Sequence, residues 1–301
     1  MSVQTAPPVE VPMAAGVVEM PAAARERRPR SPLLVVGLVL VGLAVAVAVC
    51  APLLTSHDPK AITGKALEQP SARHWLGTDV PGRDIFAQLV YGARASLTAG
   101  VVAGSLAIVG AVLVGVLPAL LSGYADTVSN RIVVFMLALP GLPLLVLIGS
   151  LAGNKASALI LVIGVLGVAP NARILRSQAL TLRNRGFIAA SRGFGGGPLY
   201  VLRRHLVPGL GPLILVSFVN WASVAIALQA GLAFIGLGDP SGISWGLMLN
   251  RALSQPALYY SPMWTWWVLP PGFAITLTLL GFTFVGVSLE PYLNPRWKRS
   301  K

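Results

Sequence analysis

Six long apolar runs, each almost free of charge, constrain this chain more than any other feature. They are Leu33–Leu54, Leu97–Tyr124, Ile132–Leu151, Ala156–Ala172, Leu210–Phe234 and Trp266–Leu289. A helix rises 1.5 Å per residue, so about 20 residues cross about 30 Å of hydrocarbon. Five of the runs meet that length comfortably, and the one starting at Ala156 only just. Inside lipid the backbone must satisfy its own hydrogen bonds, so the runs are expected to be helices. Pro118, Pro140, Pro143 and Pro212 fall within them or at their edges and are expected to kink them. Composition agrees. Charged residues make up 11% of the chain, against about a quarter in soluble domains. Mean hydropathy is +0.74.

The net charge of +13 would suggest nucleic-acid binding in a soluble protein. Here the cations sit in the short segments between apolar runs, where they set orientation in a bilayer, and nucleic acid is not an expected partner. With the N-terminus inside, six crossings return the C-terminus to the same side. Sixteen of the 23 basic residues then lie inside and seven outside, which supports an N-in, C-in topology. The fold class expected is an all-α membrane protein of about six transmembrane helices. Residues 1–32 read as a disordered cytoplasmic tail ending in Arg25, Arg27, Arg28 and Arg30. A signal peptide is the competing reading. The run at 33–54 is longer than a typical apolar signal core and no clear small-x-small cleavage site follows, so a retained helix is expected. Residues 55–96 form an extracytoplasmic loop, 97–290 a five-helix core with a cytoplasmic segment at 173–209, and 291–301 a cytoplasmic C-terminus.

Few residues offer direct chemistry. The lone Cys50 lies in an apolar run and excludes a disulfide within the chain. His57, His74 and His205 are widely spaced, with His205 on the opposite face from the other two, and no metal site is expected. There is no P-loop, nucleophile elbow or zinc-protease motif. No bound cofactor and no catalysis of its own are expected.

The segment 173–209 carries seven arginines and no acidic residue. Within it, Phe187 to Phe194 suit a short amphipathic helix. Gly195 is expected at its end in a left-handed conformation, and Pro198 can open the next helix. Two readings are open on this ground alone: a helix–turn–helix element, or a basic loop lying on anionic headgroups.

The spacing of Ala189, Ala190, Ser191, Arg192, Gly193, Phe194 and Gly195, followed by His205 and Pro208, resembles the E-A-A-x-x-x-G coupling motif of bacterial ABC importer permeases. Three further stretches resemble the C-type subunit of the dipeptide/oligopeptide/nickel branch. The first contains Gly77, Thr78, Asp79, Gly82, Arg83 and Asp84, then Gly92 and Arg94. The second contains Phe234 to Gly238 and Ser244 to Asn250. The third runs from Gly286 to Arg296. The resemblance covers about Leu33 to Arg296. It implies a type I importer permease fold in a bacterial plasma membrane. It also implies a second permease subunit, two ATPase subunits that bind ATP and Mg, and an extracytoplasmic solute-binding protein. Dipeptides, longer peptides, nickel chelates and glutathione are the solutes carried by such subunits.

Two departures stand out. Ala189 occupies the place of the motif's glutamate, and Gln229 replaces a second acidic position. Asn220, Trp221 and Gln229 in the fifth run fit either helix–helix contacts or a place on the solute path. Asp79, Arg83 and Asp84 fit either a salt-bridged turn or a contact with an external binding protein. Trp264, Trp266 and Trp267 read as an interfacial belt. The competing function is a stand-alone secondary transporter or channel. It is disfavoured because the runs lack the buried acidic groups that ion-coupled carriers use.

Overall fold

The computed structural model describes residues 32–153 and 155–290, with the side chain of Arg192 not among them. The basic tail and residues 291–301, which include Leu293 to Arg296, lie outside the described residues. The described chain is built of helices, with two isolated β-bridges in the segment after the first span. Five helical stretches are long and apolar enough to cross a membrane, and a sixth crossing arises if one bent pair counts as a single span.

Helix α1 covers Pro32–Val49. It breaks at Cys50 before the single turn α2, Ala51–Leu54. Helix α3, Ile85–Ala111, begins well before the expected Leu97. The Asp84 side chain accepts from Ala87 N and caps its first turn, so Arg94 and Gly92 are helical rather than loop residues. The loop thus ends at Asp84. A π-turn at Val112–Val116 leads into α4, Leu117–Leu121. The run expected as one span at Ile132–Leu151 is two helices, α5 (Gly123–Ala138) and α6 (Gly141–Leu151), bent by 80°. Leu139 is extended and Pro140 follows it, as the steric clash before proline demands. Helix α7 runs Ala156–Arg183, past the expected end at Ala172, so most of the arginine-rich segment's first third is helical. Then come α8 (Gly186–Gly193), α9 (Pro198–Val201), a π-turn at Leu202–Leu206, and α10 (Val207–Phe234). Beyond the last loop are α11 (Trp245–Leu253), α12 (Trp264–Trp267) and α13 (Leu269–Leu289).

Both π-turns end two residues before a proline, Pro118 in one case and Pro208 in the other. Proline lacks the N–H that would serve the carbonyl four residues back, and widening the preceding turn is one response. At Pro118 the orphaned carbonyl is that of Val114. Ser129 Oγ, from α5, donates to it. The same hydroxyl thereby fixes α5 against the end of α3.

Helices α3, α7, α10 and α13 pack through small residues, as membrane helices must when apolar burial offers no drive. A β-carbon on Gly115 would sit 2.6 Å from Ala172 O of α7, and one on Gly37 of α1 would sit 2.8 Å from Val285 N of α13. Two apolar cores mark opposite ends of the bundle. One gathers Ile85, Leu97, Ile226, Trp245, Met248 and Trp267 around the start of α3. The other gathers Leu120, Val133, Leu175, Ile188, Val201 and Leu206 around the arginine-rich segment.

The Gly115 contact yields a test. Gly115→Ala forces backbone apart where the π-turn after α3 crosses α7 and should cost about 1–3 kcal/mol. Gly42, which has nothing within 4 Å of its β-position, provides the control, and Gly42→Ala should be neutral or slightly stabilising. Thermal unfolding midpoints in detergent read both.

Candidate functional site

At the arginine-rich end, α8 and α9 form a hairpin. The helix Gly186–Gly193 ends with Gly195 at φ +84°, in the left-handed region. Gly196 N donates to Ser191 O at 2.9 Å, closing the helix end over that glycine. Pro198 opens α9 from its first position. The hairpin is held to the bundle on one side only. Ile188 is 1% exposed and belongs to the apolar core of this end, with Val201 and Leu206. His205 is flanked by Phe187 and Tyr200, each with ring centroids at 5.9 Å. The other face points outward: Ala189 and Ala190 are exposed, and Phe194 is 94% exposed. Pro208 starts α10 one position inside its first turn.

The elements supporting the hairpin are clamped by groups that the sequence reading did not single out. Arg176 of α7 forms a two-bonded pair with Asp126 of α5, both contacts at 2.8 Å. Arg183 donates to Ala119 O and to Ser122 Oγ, each at 2.7 Å, so it covers a carbonyl at the end of α4. A signal for the first pair exists in the sequence: Asp126 is the only acidic residue between Asp84 and Asp239, and the arginine-rich segment needs a counter-charge.

At the opposite end, residues 55–84 fold into a knot over the starts of α3 and α11. Gly77 and Gly82 have φ of +71° and +89°, and their β-positions would collide with Glu68 O and Gly64 O. Thr78 Oγ1 donates to Lys65 O and accepts from Glu68 N. Asp79 is 1% exposed and accepts three bonds, from Arg83 N, Arg83 Nε and Gln88 Nε2, at 2.8, 3.0 and 2.9 Å. Gln88 in turn accepts from Arg251 of α11, which also donates to Pro240 O and Gly242 O. Burial pushes the Arg251 guanidinium down from its ordinary value, with nearby Arg83 acting the same way and Asp79 and Asp239 opposing them. Gly92 lies against Trp245, whose indole donates to Leu89 O. Arg94 reaches Ala48 O and Val49 O and so covers the C-terminal carbonyls of α1. The outer motif is therefore a salt-bridged turn that joins three helices. His57 and His74, distant in sequence, have ring centroids 5.2 Å apart here, while His205 is at the other end.

The three polar residues of α10 do not share one environment. Asn220 points toward Gly286 of α13, Trp221 fills the space opposite Gly167 of α7, and Gln229 Oε1 is buried without a hydrogen-bond partner.

A helical bundle of up to six crossings with an outward-facing hairpin at its cationic end is that of a multi-pass membrane component. Residues 111–299 match the family described as "Binding-protein-dependent transport system inner membrane component", and the chain belongs to that family. Among its relatives are a putative peptide permease protein of Brucella suis biovar 1, 36% identical over 262 residues and 86% of each chain, and the dipeptide transport system permease protein DppC of Alkalihalophilus pseudofirmus, 35% identical over 276 residues, 89% of this chain and 88% of the relative. The oligopeptide transport system permease protein OppC of Bacillus subtilis is 33% identical over 269 residues, 89% of this chain and 87% of the relative.

The buried Asp79 hub predicts that Asp79→Ala destabilises the knot by about 3 kcal/mol or more, because Arg83 and Gln88 lose their common acceptor. Limited proteolysis of residues 55–84 in membrane vesicles should show faster cleavage than in the parent chain.

Proposed function

We propose that this chain is one of two membrane-spanning subunits of an ATP-driven importer for di- or oligopeptides, or a related small solute such as a nickel chelate. The observation that carries the reading is the hairpin 186–201, tied to the bundle by Ile188 and His205 while its other face is left for a partner. The peptide permeases to which the chain is similar support the solute class.

In this reading the chain is oriented N-in, C-in and pairs with a related permease. Two ATPase subunits bind ATP and Mg below, and the hairpin seats in a groove on one of them. Their closure on ATP pushes the hairpin, and α7 and α10, which flank it, transmit the movement to the pathway. An extracytoplasmic binding protein delivers the solute and sets most of the specificity. The chain breaks no bond itself; it supplies the pathway and the lever. The rival reading, a gradient-driven carrier, needs acidic groups within the bundle. Among the described spans the only acidic residue is Asp126, in the first turn of α5, and it is already paired with Arg176.

Orientation is tested with a Cys50→Ala background carrying single cysteines. Lys60→Cys should react with a membrane-impermeant thiol reagent in intact cells, and Asn184→Cys should not. Coupling is tested at the hairpin turn. A β-branched residue at φ +84° costs about 1–3 kcal/mol, and a β-carbon on Gly195 would meet nothing within 4 Å, so the effect is confined to the turn. Gly195→Val should lower uptake about tenfold or more and reduce cross-linking to the ATPase, with membrane insertion unchanged. Unchanged uptake and cross-linking would refute the hairpin as the coupling element. Ala189→Glu places a carboxylate on the exposed docking face. If the groove has adapted to alanine, burying it costs about 1–3 kcal/mol and cross-linking should fall.

A further inference from the structure

Three side chains in the knot at the outer-motif end converge without being needed for its turn chemistry. Asp84 uses Oδ1 to accept from Ala87 N at 2.7 Å, which directs Oδ2 away from the helix. Oδ2 meets His74 Nδ1 at 2.7 Å and His57 Nδ1 at 4.0 Å. One donor atom from each of the three residues lies within 4.8 Å of the other two. His74 and Asp84 are 1% and 2% exposed. His57 is partly exposed and lines an open cavity of about 560 Å³ together with Tyr91 and Arg94.

We propose that His57, His74 and Asp84 form a binding site for one borderline divalent transition cation of the zinc class. Two imidazoles and one carboxylate are the donor set such cations prefer, whereas Mg²⁺ and Ca²⁺ require mostly oxygen. Tetrahedral ligand atoms around zinc stand about 3.3 Å apart, from bonds of about 2.0–2.1 Å. The observed separations of 2.7 Å and 4.0 Å bracket that value, so closing the site takes an opening of the His74–Asp84 contact by about 0.6 Å and small inward movements of His57. His57 is free to make them: its backbone N–H is fixed by Thr55 Oγ1, but its ring is not locked in a buried pocket. Water from the cavity supplies the fourth ligand.

A second observation points the same way. His74 Nε2 is buried and has no hydrogen-bond partner. A purely structural His74–Asp84 hydrogen bond leaves that nitrogen a buried, unpaired acceptor, which carries a desolvation penalty. Metal binding at Nδ1 places the ring proton on Nε2 instead, where it needs an acceptor. Glu68 Oε2 and His74 Nε2 lie 2.8 and 3.0 Å from the same point, the place a β-carbon on Gly64 would occupy. Glu68 and His74 thus face the same space beside Gly64, and a rotation of the Glu68 side chain would let it take that proton's hydrogen bond and orient the ligand, the usual role of an outer carboxylate. The neutral imidazole keeps one proton throughout, so the exchange is balanced. The bound cation would staple the segment after α2 to the first turn of α3.

The test uses the full-length chain, purified in detergent with a histidine-free affinity tag and stripped with a chelator. Co²⁺ serves as the spectroscopic probe and Zn²⁺ as the competitor. The parent chain should bind one Co²⁺ with the strong visible absorption of a four-coordinate site, and one equivalent of Zn²⁺ should abolish it. His57→Ala leaves the Asp84 cap and the His74 contact in place, and should weaken binding about 100-fold. Glu68→Gln should weaken it about tenfold while keeping the stoichiometry. His205→Ala, at the other end, should change nothing. Circular dichroism and size-exclusion profiles establish that the variants are folded. Absence of Co²⁺ binding in the parent, a pale six-coordinate spectrum, or equal affinity in His57→Ala would each overturn the proposal. None of these readouts depends on transport.

Discussion

A backbone carbonyl without a donor is expensive inside hydrocarbon, and this chain creates such carbonyls wherever a helix ends or a proline intervenes. Their satisfaction organises the bundle. Ser129 serves Val114 O behind Pro118, Arg94 serves Ala48 O and Val49 O at the end of α1, and Arg183 serves Ala119 O at the end of α4. Each donor comes from a different helix than its acceptor. A local backbone requirement is thereby converted into a tertiary contact. The small residues along α3, α7, α10 and α13 then let those helices approach closely enough for the contacts to form.

The two ends of the bundle use this constraint differently. At one end Asp79, Arg83, Gln88 and Arg251 form a continuous polar network that joins the 55–84 knot to α3 and α11. A network so fully paired resists deformation. At the other end the hairpin 186–201 rests on a few apolar side chains and the rings around His205, with its outer face unpaired. In the proposed mechanism, force applied to the hairpin is received by α7 and α10, both of which pack along α3. A lightly held hairpin at one end and a fully paired network at the other suit the lever proposed above.

Much of this architecture was legible in the sequence. Uncharged runs of 17 to 28 residues located the spans, because few other structures satisfy the backbone at that length. The helix 186–193 and its left-handed Gly195 followed from small residues ahead of a glycine run. Helix ends were less legible. Hydropathy placed the start of α3 at Leu97, but Asp84 caps it, and between them Gln88 is bound to Asp79 and Arg94 to a carbonyl of α1. The break at Leu139 and Pro140 was visible as a proline but not as an 80° bend, since neighbours decide how far a kink opens. The meeting of His57, His74 and Asp84 depends on two glycine turns and on bonds between residues ten or more apart, for which single-sequence periodicity carries no signal.

The central claim is that energy enters through the hairpin from partner ATPases rather than from an ion gradient. The most direct measurement is peptide uptake into proteoliposomes that contain this chain with its co-purifying permease, ATPase and binding-protein partners. ATP is supplied on the hairpin side, with ion gradients either imposed or collapsed. The account predicts uptake that requires ATP and all partners and is indifferent to the gradients. Uptake by this chain alone, driven by a gradient in the absence of ATP, would contradict it.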